Sequence, residues 1–329
     1  MKRKLFTILC MLLPLVASAQ ILKDSTINTV AYWNLGDKFK YLHETREYTV
    51  ENNDTIWGDA MNEVFTLEVV DSTATGYVLK YQTLDCVYEY ENKEQQAMMD
   101  PIMKKYMDVP LYVATNEYGT FTGLAYWEKT QVVIDSIVND IKKSMDDFYE
   151  QQPDSLKLNK EEKEQYEAMM ENLYNAFRTK EMNTQNVAFL ADLLYYHGTN
   201  MAQNHEYTGK QQMSSLWMPG EAIDVELTHQ IIKVNYENNW VNFYRTQRYD
   251  AGQLVEQFMR FMQQSLPPEQ AMAITPDDIP FLMVETVLDL DVHVGSGWPG
   301  ETFFKKVIQV GPKKKVSTWY ITMVFDEEE

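Results

Sequence analysis

Cysteine is almost missing from this chain. Of 329 residues only Cys10 and Cys86 are thiols, and Cys10 lies in a leader expected to be removed, so no internal disulfide can brace the mature polypeptide. Glycine and proline are also scarce, 13 and 11 residues, which excludes collagen-like and Pro/Gly-rich low-complexity chains. After residue 16 no apolar run approaches the ~20 residues that a helix needs to cross a bilayer, so no membrane-spanning helix is expected. Basic residues are outnumbered, 29 against 49 acidic. That imbalance argues against a nucleic-acid partner and against electrostatic docking of the whole molecule to anionic lipid, because both surfaces are negative.

The leader is legible in the first nineteen residues. Lys2-Arg3-Lys4 precede an apolar run from Leu5 to Val16 and then Ala17-Ser18-Ala19, the charged, apolar and small-residue parts of a secretory signal peptide. Cleavage is expected between Ala19 and Gln20, giving a soluble periplasmic or extracellular protein. Cys10 sits inside the apolar run, not behind a small residue at its end, so a lipid anchor is not expected. Losing the three basic residues takes the net charge from −20 to −23. Solubility is the simplest reading of that charge.

What remains is rich in large side chains: 45% hydrophobic and 13% aromatic residues, with 21 Tyr and 19 Met. A chain of this composition folds. Residues 126–205 alone keep a helical period. Ile134, Ile137, Val138, Ile141, Met145 and Phe148 recur at spacings of three and four, and Pro153 ends that helix. Asn159 and Glu162 have capping-box spacing for a second helix carrying Tyr166, Met170, Leu173 and Phe177. A third is predicted from Thr184 as cap through Val187, Leu190 and Leu194, with Gly198 as its left-handed stop.

Both flanks read as strands. Phe39 to Glu51 alternates before a turn at Asn52-Asn53-Asp54, and Phe65, Leu67 and Val69 alternate with polar residues. From Tyr77 the apolar parity is Tyr77, Leu79, Tyr81, then it changes near Thr83, as a bulge would make it do. Asp100-Pro101 opens a short helix. Strands return at 111–116 and 120–124. Beyond the helices come a hairpin around Glu237-Asn238-Asn239, a helix capped by Asp250, and strands at 284–293, 302–310 and 316–325. The expected architecture is α+β: a curved antiparallel β-sheet built from an N-terminal arm (20–125) and a C-terminal arm (206–329), covered by a central group of three helices, in one domain spanning 20–329.

No catalytic constellation emerges, and the chain is expected not to be an enzyme. Gly295, Gly297 and Gly300 match a dinucleotide fingerprint by spacing, but Pro299 and an alternating strand follow where a helix must open. They read as a hairpin loop, and no cofactor is expected. Glu285, Asp289, Asp291 and His293 share one parity, which an acidic wet strand face explains without a metal. His43-Glu44 has Glu47 where a zinc-protease motif needs a second His. His197, His205 and His229 are scattered. Met98, Met99, Met103 and Met107 are broken in register by Pro101 and read as core or groove lining. Cys86 lies in a strand with no basic neighbour, and no Ser sits in a nucleophile elbow. No metal site is expected.

The stretch Trp33-Asn34-Leu35-Gly36-Asp37-Lys38-Phe39-Lys40-Tyr41, the strand Gly76-Tyr77-Val78-Leu79 and the turn Gly297-Trp298-Pro299 resemble exported bacterial envelope proteins. The order of elements is similar to that of the outer-membrane lipoprotein-carrier class, in which a curved antiparallel sheet wraps helices around an apolar cavity. The resemblance implies an exported binding or carrier protein holding a lipid, another apolar ligand or an envelope protein's apolar segment. No functional residue transfers through it. Phe65, Leu67, Tyr77, Leu79 and Tyr81 are the expected lining residues, and a structural or assembly role in the envelope without a small-molecule ligand is the alternative.

Overall fold

The computed structural model describes residues 26–90, 96, 100, 104, 109–150, 159–215, 217, 218, 220–265 and 281–325. The predicted leader, its cleavage site and Met98, Met99, Met103 and Met107 lie outside them, as does all but Asp100 and Lys104 of the short helix expected there. In chain order the elements are β1 (Thr26–Asn28), β2 (Lys38–Glu51), β3 (Asp54–Thr73), β4 (Gly76–Glu89), β5 (Leu111–Thr115), β6 (Phe121–Leu124), α1 (Trp127–Glu150), α2 (Lys160–Phe177), α3 (Lys180–Asn186), α4 (Phe189–Leu193), β7 (Asn200–Ala202), β8 (Glu206–Ser214), β9 (Ala222–Asn235), β10 (Trp240–Tyr249), α5 (Ala251–Ser265), β11 (Leu282–His293), β12 (Trp298–Val310) and β13 (Lys313–Val324). The class is α+β. Eleven strands are hydrogen-bonded in the order β6-β5-β4-β3-β2-β13-β12-β11-β10-β9-β8, so strands from both arms enter one sheet, while β1 and β7 pair separately.

The chain divides into two compact units, residues 1–32, 43–60 and 196–323, and residues 33–42, 61–195 and 324–329. In the first, β11 sets the pattern. Leu282, Val284, Thr286, Leu288, Leu290 and Val292 are buried, and the residues between them are half-buried, the period of two that a sheet with one covered face requires. Helix α5 covers part of that face. Asp250 accepts from the Gln253 amide at 2.8 Å as its cap, and Leu254, Val255 and Phe258 pack on Ile223, Val225, Leu282 and Val284. Register shifts at Asn242/Phe243 and Leu290/Val292 bend these strands locally. The β2–β3 turn at Asn52-Asn53 has φ of +53° and +68°, values that asparagine tolerates better than other residues carrying a Cβ.

The second unit holds β4 to β6 and the central helices. Ile134 and Val138 of α1 meet Tyr174 of α2, with Met170 and Phe177 alongside, so the apolar spacing read from the sequence is the stripe that packs. The third predicted helix is instead two. Thr179, in extended backbone, caps α3 by accepting from the Met182 amide. Thr184 lies inside α3, and its hydroxyl donates back to the Lys180 carbonyl at 2.8 Å. The short α4 follows after a break at Val187-Ala188. Gly198 does adopt positive φ, but its N–H donates to the Thr29 carbonyl at 2.7 Å, so it docks the β1 segment instead of closing a helix. The parity change near Thr83 falls where β4 leaves the core: Leu79 and Tyr81 are buried, while Leu84 and Val87 are 54% and 52% exposed.

Gly297 is the tightest backbone approach in the first unit. Its φ is +78°, and a Cβ there would stand 2.5 Å from the Val30 carbonyl oxygen and 2.8 Å from Ala31 Cα. Gly297→Ala should therefore cost about 1–3 kcal/mol. Gly209→Ala, where a Cβ meets nothing within 4 Å, should stay within about 0.5 kcal/mol or stabilise slightly. Urea midpoints of the two variants check this, and equal midpoints would refute the close packing of the Gly295–Gly300 loop.

Candidate functional site

The sheet face that α5 only partly covers carries a half-buried charge, Lys306. On β12, Phe304, Lys306, Ile308 and Val310 share one parity. Across β11 they oppose Leu288, Thr286, Val284 and Leu282, and across β13 they oppose Trp319, Ser317, Lys315 and Lys313. Directly opposed residues lie on the same face, so Lys306 stands on the core side of the sheet. Ile308 and Val310 lean on the α5 cluster. Phe304 stacks on Trp319 at 5.2 Å and 11° between planes, and His43 meets the Trp319 ring edge-on at 6.1 Å. Phe304, Lys306, Ile308 and Trp319 are all half-buried.

Lys306 has no carboxylate partner among the described residues. Glu47, which reaches the neighbouring Ser317, is engaged: Lys315 Nζ lies 2.8 Å from one of its oxygens, and Ser317 Oγ donates to the other at 3.0 Å. Thr286 donates to Gln247 at 2.7 Å. Burial pushes the Lys306 ammonium below the usual lysine range, and the charge of Lys315 pushes the same way. The row thus sets one half-buried ammonium among half-buried apolar side chains.

In the second unit the expected lining residues come together, but as packed core. Phe65, Leu67 and Leu79 are fully buried and Tyr81 nearly so. Phe65 touches Tyr41 and Tyr81, and Phe189 of α4 closes edge-on over both Phe65 and Tyr81. Tyr77 is half-buried against Trp33. Beside this cluster Glu63, only 5% exposed, accepts from the Tyr81 hydroxyl and, at 2.6 Å, from Thr83. Burial first, and the Glu63 charge second, raise the Cys86 thiol to about 12, so it is poorly suited to nucleophilic work.

The other sequence candidates do not converge. Glu285 pairs with Arg248 at 3.0 Å, and Asn242 donates to Asp289 at 2.5 Å and to Asp291 at 2.9 Å. His293 Nδ1 lies 2.8 Å from Ser296 Oγ. His197 donates to the Gly297 carbonyl at 2.6 Å, His205 packs on Tyr207, and His229 lies beside Tyr196. Among the described residues no group of three or more His, Cys, Asp or Glu is placed to hold a metal ion. A cleft of about 300 Å³ between α5 and β8–β9 is lined by Gln212, Glu221, Asp224, Gln253, Gln257 and Arg260. Most of its groups pair with one another, Arg260 being bidentate to Glu221 at 2.7 and 2.5 Å and Gln253 bridging to Asp224, while Arg260 Nε is buried without a hydrogen-bond partner among the described residues.

Lys306 was readable as an anomaly. It is the one charge in an otherwise apolar parity, Phe304-x-Lys306-x-Ile308-x-Val310, and the sequence reading missed it by ranking acids, histidines and thiols above a lone lysine.

No protein-family model matches the chain, and no curated protein matches it. Among solved structures, a lipovitellin structure described by its lipid–protein interactions aligns over 90% of this chain at 8% identity and a TM-score of 0.40. The chain spans about a quarter of that protein's length, 26%. An outer membrane channel from Pseudomonas putida F1 aligns over 90% of this chain and 98% of its own, at 7% identity and a TM-score of 0.14. Among the described residues no helix is long and apolar enough to cross a membrane.

Two expectations follow. Between the lowered Lys306 value and the ordinary 10.5, the folded chain binds fewer protons than the unfolded one, so unliganded stability rises with pH across that window. Lys306→Met removes the half-buried charge and should raise the thermal midpoint at neutral pH, which a melting curve reads directly. Second, a thiol near 12 has roughly 2,000-fold less thiolate at pH 8 than free cysteine, offset about 40-fold by its greater intrinsic nucleophilicity. Cys86 should thus react roughly 60-fold more slowly than free cysteine with a disulfide reagent in the native state, and a rate equal to free cysteine would show the site is open.

Proposed function

We propose that this chain is an exported, non-enzymatic binding or carrier protein for an apolar ligand or a partner's apolar segment. The observation that carries the reading is the half-buried ring stack of Phe304 and Trp319, on the core side of the sheet next to Ile308 and Val310, which pack on the α5 cluster. Each large apolar side chain left open forgoes about 1.5–3 kcal/mol of burial. The leader at residues 1–19 supports export. The raised Cys86 thiol and the dispersed histidines support a non-enzymatic role.

An envelope assembly module is the second reading. It is favoured by the β2–β3 hairpin, where Trp57 and Ile56 are 62% and 54% exposed and Trp57 packs on Tyr48 across the strands.

Native mass spectrometry of protein purified from its own host separates the two. The carrier reading expects an apolar adduct, with Phe304→Ala lowering its occupancy by about tenfold from lost contact area, while Trp57→Ala leaves it unchanged. A bare polypeptide mass in repeated preparations would reject the carrier.

A further inference from the structure

We propose that the lane on β12 and β13 binds an anionic amphiphile, with the Lys306 ammonium receiving a carboxylate or phosphate headgroup and the stacked Phe304 and Trp319 receiving the chain. This rests on the apolar-binding reading and specifies the class of ligand. Three observations converge on it. Lys306 is on the core side by register, opposite Thr286 and Ser317. It is half-buried and lacks a counter-ion among the described residues, since Glu47 is bound by Lys315 and Ser317. Rings that hold no polar obligation toward it lie one row away, Phe304 and Trp319 in a parallel stack.

The direction of the chain follows from what is already occupied. Ile308 and Val310, on the far side of Lys306, pack against the α5 cluster, so the open apolar surface is the Phe304–Trp319 side, ending at His43. Of the charged groups on this face, Lys315 acts on the ammonium, Glu47 lies against Lys315 and Ser317, and Arg245 is buried in the Phe304 row, opposite Leu288. The hydroxyl protons of Thr286 and Ser317 are committed to Gln247 and Glu47, which leaves the three ammonium protons as the donors for an anion. A long lysine can also lie half-buried merely because its stem covers apolar surface while its head reaches water, and the experiment decides between the two.

Tryptophan fluorescence of the delipidated full chain is titrated with laurate, dodecyl phosphate and dodecanol, three chains of equal length. Because the ammonium can pair with the two anionic headgroups and not with the alcohol, laurate and dodecyl phosphate should bind about tenfold to a hundredfold tighter than dodecanol. Lys306→Met should bring laurate and dodecyl phosphate to the dodecanol level, and Lys306→Arg should retain most of the difference. Equal binding of laurate and dodecanol to the native chain, or laurate binding unchanged in Lys306→Met, would overturn the headgroup assignment and leave the apolar reading standing. Failure of all three to bind would overturn the apolar reading and this assignment with it. Displacement of laurate by millimolar inorganic phosphate would show a site for free anions and overturn the amphiphile. Far-UV circular dichroism confirms that each variant is folded.

Discussion

Register between β11 and β12 is the constraint on which the rest of the first unit depends. Side chains alternate with a period of two, so sliding β12 by one residue would carry Phe303, Lys305 and Val307 to the core and expel Phe304, Ile308 and Val310. The pairing is pinned from both ends. Buried Leu282 and Val284 face Val310 and Ile308 beneath α5, and the loop at Gly297 admits the Val30 carbonyl at a distance no side chain would permit. The position of Lys306 is therefore a consequence of packing at residues far from it, not a local preference of lysine.

The same logic explains how much could be read from sequence. Wherever one face is buried and the other wet, the pattern was plain: β11 alternates without exception, the β9–β10 hairpin turns at its asparagines, and the α1 stripe of Ile134 and Val138 is the stripe that meets Tyr174. Strand β8 was invisible because it is a sheet edge of mostly exposed polar residues with no alternation to detect. The first half of β3 was lost for the same reason, since its buried residues begin only at Glu63. The division into α3 and α4 turned on which of two threonines caps. The expected cap, Thr184, lies inside α3, and Thr179, in extended backbone, caps it instead.

Strand parity says which side chains share a face, not what packs on that face. Aromatic strand residues were expected to line a ligand site, and Phe65, Tyr77 and Tyr81 were the natural choices from parity. Phe189 reaches Phe65 and Tyr81 from a helix more than a hundred residues downstream, a long-range contact that no periodicity encodes. Without a disulfide, this unit draws its stability from burial of that sort. Rings that are packed for stability are expensive to reopen, because removing or displacing a buried aromatic costs about 3–5 kcal/mol.

That cost divides the labour between the two sheet regions. A surface kept for a ligand must be left incompletely satisfied in the free protein, and incompleteness is what Phe304, Lys306 and Trp319 share. A half-buried ammonium with no counter-ion among the described residues is unfavourable on its own, since desolvation weakens its hydration. The proposed anion would replace that lost hydration, and its apolar chain would pack on the rings. On this proposal, free energy withheld from folding at Lys306 would return as affinity for the anion.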